Sequence, residues 1–350
     1  MILNIIKIFG LSSLTFFLGI FLTPILTYFL YSKKMWKKTP RTRALGGGGT
    51  PIFNKMHGEK EVNTPRMGGI LIWASVVIVT LLFFIASEIF PGDTTQKLNF
   101  LSRNQTWLPL FTLIVGSFIG LIDDVLQVRG KGEYIAGGLS LKKRIVLVII
   151  LGLIGAYWFY FKLGVSSIDV PFYGEVHLGL LFIPLFVLVM LAIFSGGVID
   201  GLDGLSGGVF ASIFAAYAGI AFFKNQIDIA AFSAVLAGGI LAFLWFNIPP
   251  ARFYMGETGI LGLTTVLTVI AFLTRAVIVL PIIAFPLVAE SGSVIIQLIS
   301  KKLFHRKIFL VAPIHHHFEA LGWPSYKVTM RFWIIGFILA IIGMTMALVG

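Results

Sequence analysis

Five acidic residues stand at the ends of apolar segments: Asp123 and Asp124, Asp200 and Asp203, and Glu257, with His315, His316 and His317 in a later polar stretch. Charge at a bilayer boundary is costly unless it is used, and carboxylates collected on one side have the chemistry of a divalent-cation site. Neighbours on a helix point about 100° apart, so one of Asp123 and Asp124 can face a metal or reacting group while the other faces a cation. Acids at a helix C-terminus oppose the macrodipole, which calls for that cation. Asp200 and Asp203 share one face of any helix across a glycine-rich break, where Gly201 lets a phosphate or nucleoside approach. An EF-hand is excluded, because the further oxygen ligands of that loop are missing.

Glu257 lies between Gly256 and Gly259, after Tyr254, whose ring can stack on a planar base. Its other reading is a capping acid for the next helix. Three consecutive histidines cannot converge, so a three-nitrogen zinc site is not expected from them, whereas imidazole donors suit pyrophosphate oxygens.

The elements that must position these groups are membrane helices. The chain has 350 residues, 57% of them hydrophobic and 12% charged. Apolar runs of roughly 17–25 residues read as spans, and the alternation of an outer-membrane barrel is missing. Ten spans are expected, at 10–32, 68–90, 107–126, 143–162, 179–198, 203–223, 228–247, 258–274, 276–300 and 330–349. The first is a span and not a signal peptide, since no small-residue cleavage site comes after it. Most of the 27 basic residues fall in 33–66, 127–144, 247–258 and 301–331. The positive-inside rule puts those loops in the cytoplasm, both termini outside and the acidic cluster at the cytoplasmic face. The expected fold is an all-α integral membrane protein with about ten transmembrane helices, residues 1–350 forming a single polytopic domain.

The net charge of +12 follows largely from that topology, with loop cations also suited to lipid head groups or a phosphorylated substrate; no nucleic-acid binding is expected. The lack of cysteine excludes disulfides and thiol catalysis. Residues 169–176 read as a short hairpin or interfacial turn, and Gly46 to Gly49 as a turn-rich linker. Glu290 falls inside the ninth span, a buried charge for which the sequence names no partner.

Thr64-Pro65-Arg66-Met67-Gly68-Gly69, Asp123-Asp124, Asp200-Gly201-Leu202-Asp203-Gly204-Leu205, Phe253-Tyr254-Met255-Gly256-Glu257 and Ala312-Pro313-Ile314-His315-His316-His317-Phe318-Glu319 occur in this order. In them the chain resembles the phospho-N-acetylmuramoyl-pentapeptide transferase family, within the polyprenyl-phosphate sugar-1-phosphate transferases. The resemblance implies a multi-pass enzyme of the bacterial inner membrane, active in peptidoglycan biosynthesis. Such an enzyme takes UDP-N-acetylmuramoyl-pentapeptide and undecaprenyl phosphate to lipid I and UMP, using Mg2+. It also implies contact with membrane lipid, and homodimerisation. Carried over by position, Asp123, Asp124, Asp200, Glu257 and His315 are catalytic, with Glu257, Asp200 and Asp123 as metal ligands. Lys60, Gly201, Asp203, Asn247, Tyr254, His316 and His317 bind substrate.

The chain departs from the family pattern at Phe194 and Gly197, where asparagines are usual, at Gln127 for a lysine, at Lys60, one residue out of register, and at Glu257 for an aspartate. Space opened by Gly197 is expected to take up the extra methylene of Glu257. The departures keep two alternatives open, a transferase for another UDP-sugar such as a UDP-N-acetylhexosamine, and a catalytically silent relative. A cation or lipid transporter is disfavoured, because its polar residues belong near the bilayer midplane.

Overall fold

The computed structural model describes residues 2–38, 49, 51, 54, 57–58, 62–101, 104–131 and 137–350. Lys60 and Gly46 to Gly48 lie outside the described residues. Among the described residues nine helices are long and apolar enough to cross a membrane. They are α1 (Ile2–Ser32), α2 (Gly69–Ile89), α3 (Gln105–Val128), α4 (Leu141–Lys162), α5 (Gly179–Ile199), α6 (Leu205–Phe223), α7 (Ile227–Asn247), α8 (Gly256–Leu273) and, last in the chain, α11 (Ser325–Val349).

The remaining expected span, 276–300, is built differently. A turn of helix at Leu280–Ile283 stops at Ala284, which leaves helical geometry at φ −102° and ψ 27°, and α9 (Phe285–Phe304) starts afresh with Pro286 in its first turn. Proline is tolerated there, where its missing N–H has no partner to lose. Glu290, Ser293, Gln297 and Ser300 repeat every three to four residues and are buried, while Ile295, Ile296, Ile299 and Leu303 on the opposite side are exposed. That is an amphipathic helix turned inside out, polar toward the protein and apolar outward, as a bilayer requires.

The polar stripe also organises the segment between α9 and the next helix. Gln297 accepts from the N–H groups of Ile308 and Phe309 at 3.0 Å and donates to the Phe309 carbonyl at 2.8 Å. This clamp leads the chain into α10 (Ile314–Ala320), the short helix that carries the histidines.

The core of the bundle is α8, 94% buried along its apolar stretch and packed chiefly against α3, then α5 and α2; α7 at 78% and α6 at 72% pack against each other, whereas α11 is only 17% buried and faces outward. The expected hairpin forms, as β1 (Ser167–Val170) antiparallel to β2 (Gly174–His177), with Ser167 opposite His177 and Val170 opposite Gly174. Among the described residues this is the one sheet, in a fold that is otherwise mostly helical.

Candidate active site

The first turn of α8 is the pivot of the site. Its leading N–H groups have no acceptor within the helix and must find one elsewhere. Asp200, in the turn after α5, accepts from Gly256 N at 3.1 Å. Asp124, near the end of α3, accepts from Glu257 N at 3.2 Å, Thr258 N at 2.9 Å and Thr258 Oγ1 at 2.8 Å. Two carboxylates, one from α3 and one from the turn after α5, thus cap one helix, where the macrodipole favours negative charge by about 0.3–2 kcal/mol.

Two glycines permit this geometry. Gly256 has φ +71°, and a Cβ there would run into the Asp124 carboxylate. At Gly120 a Cβ would collide with the Glu257 carbonyl, so α3 reaches the start of α8 only because that residue has no side chain.

With the capping done by Asp124 and Asp200, the Glu257 side chain is released. Arg144, from the first turn of α4, donates through Nη1 to Glu257 Oε1 at 2.5 Å and places Nε 3.5 Å from Asp123 Oδ1. Asp123 also accepts from Gln127 Nε2 at 2.7 Å and from Leu139 N at 2.5 Å. Arg66 Nε stands 3.4 Å from Asp124 Oδ1. The adjacent aspartates therefore face apart, each with its own arginine.

Arg66 is delivered by a segment that pairs backbone to backbone with the stretch before α8. Tyr254 N donates to Pro65 O at 2.8 Å, Gly68 N to Tyr254 O at 2.8 Å and Gly69 N to Met255 O at 2.9 Å.

The expectation that Gly197 makes room for Glu257 is corrected by the structure. A Cβ at Gly197 would meet Ile260 Cγ2, so that space belongs to α8 packing, while Glu257 extends to Arg144 instead.

Around the Asp200 turn the contacts are dense. Burial raises the Asp200 carboxyl to about 6, opposed by the Ser206 hydroxyl at 2.8 Å, the Arg66 charge and the Gly256 N–H. Asp203 Oδ2 accepts from Ala251 N at 3.3 Å, and its carbonyl accepts from Thr329 Oγ1 at 3.2 Å. Asn247 accepts from Gly204 N at 3.0 Å and donates to Phe253 O at 2.8 Å, so its amide ties that turn to the loop before α8. Burial also raises the Tyr254 hydroxyl to about 12, against a hydrogen bond with Thr64.

The three histidines diverge. His315 Nδ1 is 2.8 Å from Glu290 Oε2, both side chains being fully buried. Among the described residues His315 Nε2 and Glu290 Oε1 have no hydrogen-bond partner, and Nε2 lies against Gly201, where a Cβ would collide with it. His316 Nδ1 is 2.7 Å from Glu319 Oε2, and His317 Nδ1 accepts from Leu310 N at 3.2 Å. Burial, then the neighbouring His315, lowers His316 to about 3, overcoming the opposing pull of Glu319. Glu319 is itself held well below the usual carboxylate range, because hydrogen bonds from His316, His57 and Ser325 outweigh its burial.

Asp123, Asp124, Asp200, Glu257 and His315 are thus gathered around the start of α8, with Gly201, Asp203, Asn247, Tyr254 and His316 about the adjoining turn. His317 turns away to its own loop. Arg144, Glu290 and His57 were missed as site residues in the sequence. Glu290 offered the one signal, a carboxylate in an apolar helix, and its partner is His315.

Asp123 and Glu257 converge on a single positive charge, the Arg144 guanidinium, and their oxygens are hard donors suited to Mg2+. These residues fit a divalent cation. Both Asp200 oxygens are engaged, by the Ser206 hydroxyl and the Gly256 N–H.

Residues 106–275 match the sequence profile of Glycosyl transferase family 4. The chain is 37% identical over 290 residues to a phospho-N-acetylmuramoyl-pentapeptide-transferase of Anoxybacillus flavithermus, covering 81% of this chain and 84% of the relative. The Bacillus subtilis protein of that name is 33% identical over 333 residues, 94% of each chain. The one from Chloroflexus aurantiacus is 33% identical over 328 residues, 90% of this chain and 85% of the relative.

Proposed function

The chain belongs to the phospho-N-acetylmuramoyl-pentapeptide-transferase family, and from that premise we propose that it transfers phospho-N-acetylmuramoyl-pentapeptide from its UDP-linked donor to undecaprenyl phosphate. The products are lipid I and UMP, formed at the cytoplasmic face of a bacterial inner membrane. The observation that carries this reading is the ring of Asp123, Asp124, Asp200, Glu257 and His315 around the first turn of α8. It lies at the ends of the helices and not at their middles, which suits a reaction between an aqueous nucleotide and a lipid phosphate.

In net terms an oxygen of the acceptor phosphate becomes bonded to the sugar-bearing phosphorus, and the bond from that phosphorus to UMP breaks, its electron pair leaving with UMP. Asp123 and Glu257 would hold Mg2+, which when bound neutralises pyrophosphate charge and improves UMP as a leaving group. Asp124 and Asp200 keep Glu257 in place by capping α8. Arg66 is positioned to meet phosphate oxygens. His315, its Nδ1 anchored by Glu290, presents Nε2 beside Gly201, where a phosphate oxygen supplies the partner that atom lacks. Tyr254, Asp203 and Asn247 shape the uridine side, the tyrosine offering a ring face for stacking.

Transfer of radiolabel from UDP-N-acetylmuramoyl-pentapeptide into butanol-extractable lipid tests the proposal. Label should appear in lipid only when undecaprenyl phosphate is supplied. Folded protein that moves no label to lipid would refute it.

A further inference from the structure

Beside the carboxylate ring is a second cluster of metal-ligating groups that the proposed transfer does not require. Glu319 Oε2 lies 2.8 Å from His57 Nε2 and 2.7 Å from His316 Nδ1, and the rings of the two histidines are 5.1 Å apart. These three donor atoms all fall within 4.8 Å of one another. We propose that His57 Nε2, His316 Nδ1 and Glu319 Oε2 form a zinc site that clasps the segment leading to Arg66 onto α10.

The local architecture supports ligation. His316 and Glu319 are three residues apart on α10, a spacing that puts both on one helix face. Ser325 Oγ donates to the second oxygen of Glu319 at 2.6 Å, the kind of outer contact that orients a ligating carboxylate. Two imidazole nitrogens and one carboxylate oxygen suit zinc and disfavour magnesium, which takes oxygen ligands. Three protein ligands leave a fourth position for water or a ligand oxygen.

Zinc bonds of about 2.0–2.2 Å at tetrahedral angles put neighbouring donors roughly 3.3–3.5 Å apart. Glu319 Oε2 must therefore withdraw from both nitrogens by about half an ångström, within reach of a carboxylate rotation. Binding displaces whatever protons those donors share.

The site has a structural consequence. His57 precedes Arg66 in the chain, and α10 also carries His315. One ion would fasten the loop that brings Arg66 to Asp124 onto the helix that brings His315 to Gly201. Zinc on His316 Nδ1 would also fix the proton of that ring on Nε2, the atom near Gly201.

The test uses the full-length protein, purified in detergent without a histidine tag, stripped with a chelator and titrated with Zn2+ against a chromophoric competitor in excess Mg2+. The expected result is about one equivalent of zinc per chain, weakened by more than about a hundredfold in His57→Ala and in Glu319→Gln. Co2+ should give a tetrahedral ligand-field spectrum in the unaltered chain and lose it in both variants. His57→Ala guards against a folding artefact, because His57 precedes α2 and lies in no membrane helix. No stoichiometric zinc would overturn the proposal in favour of a hydrogen-bonded hub. Undiminished binding in both variants would overturn it by placing the ion elsewhere.

Discussion

Arg144 Nη1 lies 2.5 Å from Glu257 Oε1, so the carboxylate with the clearest claim to a metal is held by a guanidinium. The same arginine reaches Asp123. Arg144 and a divalent cation then compete for the same two carboxylates. Unit charges at about 4 Å in a partly buried setting interact by roughly 4 kcal/mol before solvent screening. Arg144→Gln should tighten Mn2+ binding, measured by electron paramagnetic resonance, by about tenfold, or 1.4 kcal/mol after screening. Unchanged or weaker affinity would mean that the ion binds away from this pair.

Asp124 acts through α8. Asp124→Ala leaves the N–H groups of Glu257 and Thr258 and the Thr258 hydroxyl without their acceptor, at about 1–3 kcal/mol for a buried unsatisfied group. Asp124→Asn keeps one acceptor oxygen and should lose about half as much. Thermal unfolding in detergent should order the three proteins unaltered, Asn, Ala. Equal melting temperatures would deny the capping role.

Glu290 fixes the ring of His315. In Glu290→Gln the side-chain shape is kept and the charge removed, so the melting temperature should change little. Turnover should drop by about a hundredfold, the lower end of the range for a lost acid–base contribution. A variant that turns over normally would make the pair structural only.

In chelator-stripped, metal-free protein the acid sensitivity of the fold should trace partly to α10. His316 has a folded value of about 3 against an ordinary 6.5, so it contributes stability that is complete above 6.5 and is lost as pH falls toward 3. Glu319, also depressed, acts in the same sense below its ordinary 4.5. Asp200, raised from 3.8 to about 6, has the opposite sign and stabilises as pH falls through that interval. The comparison with His316→Asn isolates the histidine. Between pH 6.5 and 4 the variant should lose less stability than the unaltered chain, by up to roughly 3 kcal/mol. Parallel pH profiles would contradict the assignment.

Much of this site is legible in the sequence because its residues are costly where they stand. Asp123, Asp124, Asp200 and Glu257 interrupt apolar segments, and the expected ends of those segments bring them to one face. Which acid does what is not legible, because capping of α8 depends on the approach of α3 at Gly120, a tertiary contact. The cap that Glu257 could have supplied falls for that reason to Asp124 and Asp200. Arg144 is concealed among Lys142 and Lys143, where its charge reads as topology. The break at Ala284 is hidden within a continuous apolar run, although Pro281 and Pro286 flank it. Gly197 misled because a missing side chain shows only that space is needed, and Ile260 is what fills it.

Donor choice is decided by UMP release from the purified protein with undecaprenyl phosphate and Mg2+, comparing UDP-N-acetylmuramoyl-pentapeptide with UDP-N-acetylglucosamine. Turnover should occur with the pentapeptide donor and not with the other, and should be lost in Glu257→Ala. Release from UDP-N-acetylglucosamine alone, or from neither donor by a folded chain that still binds uridine nucleotides, would contradict the proposed transfer.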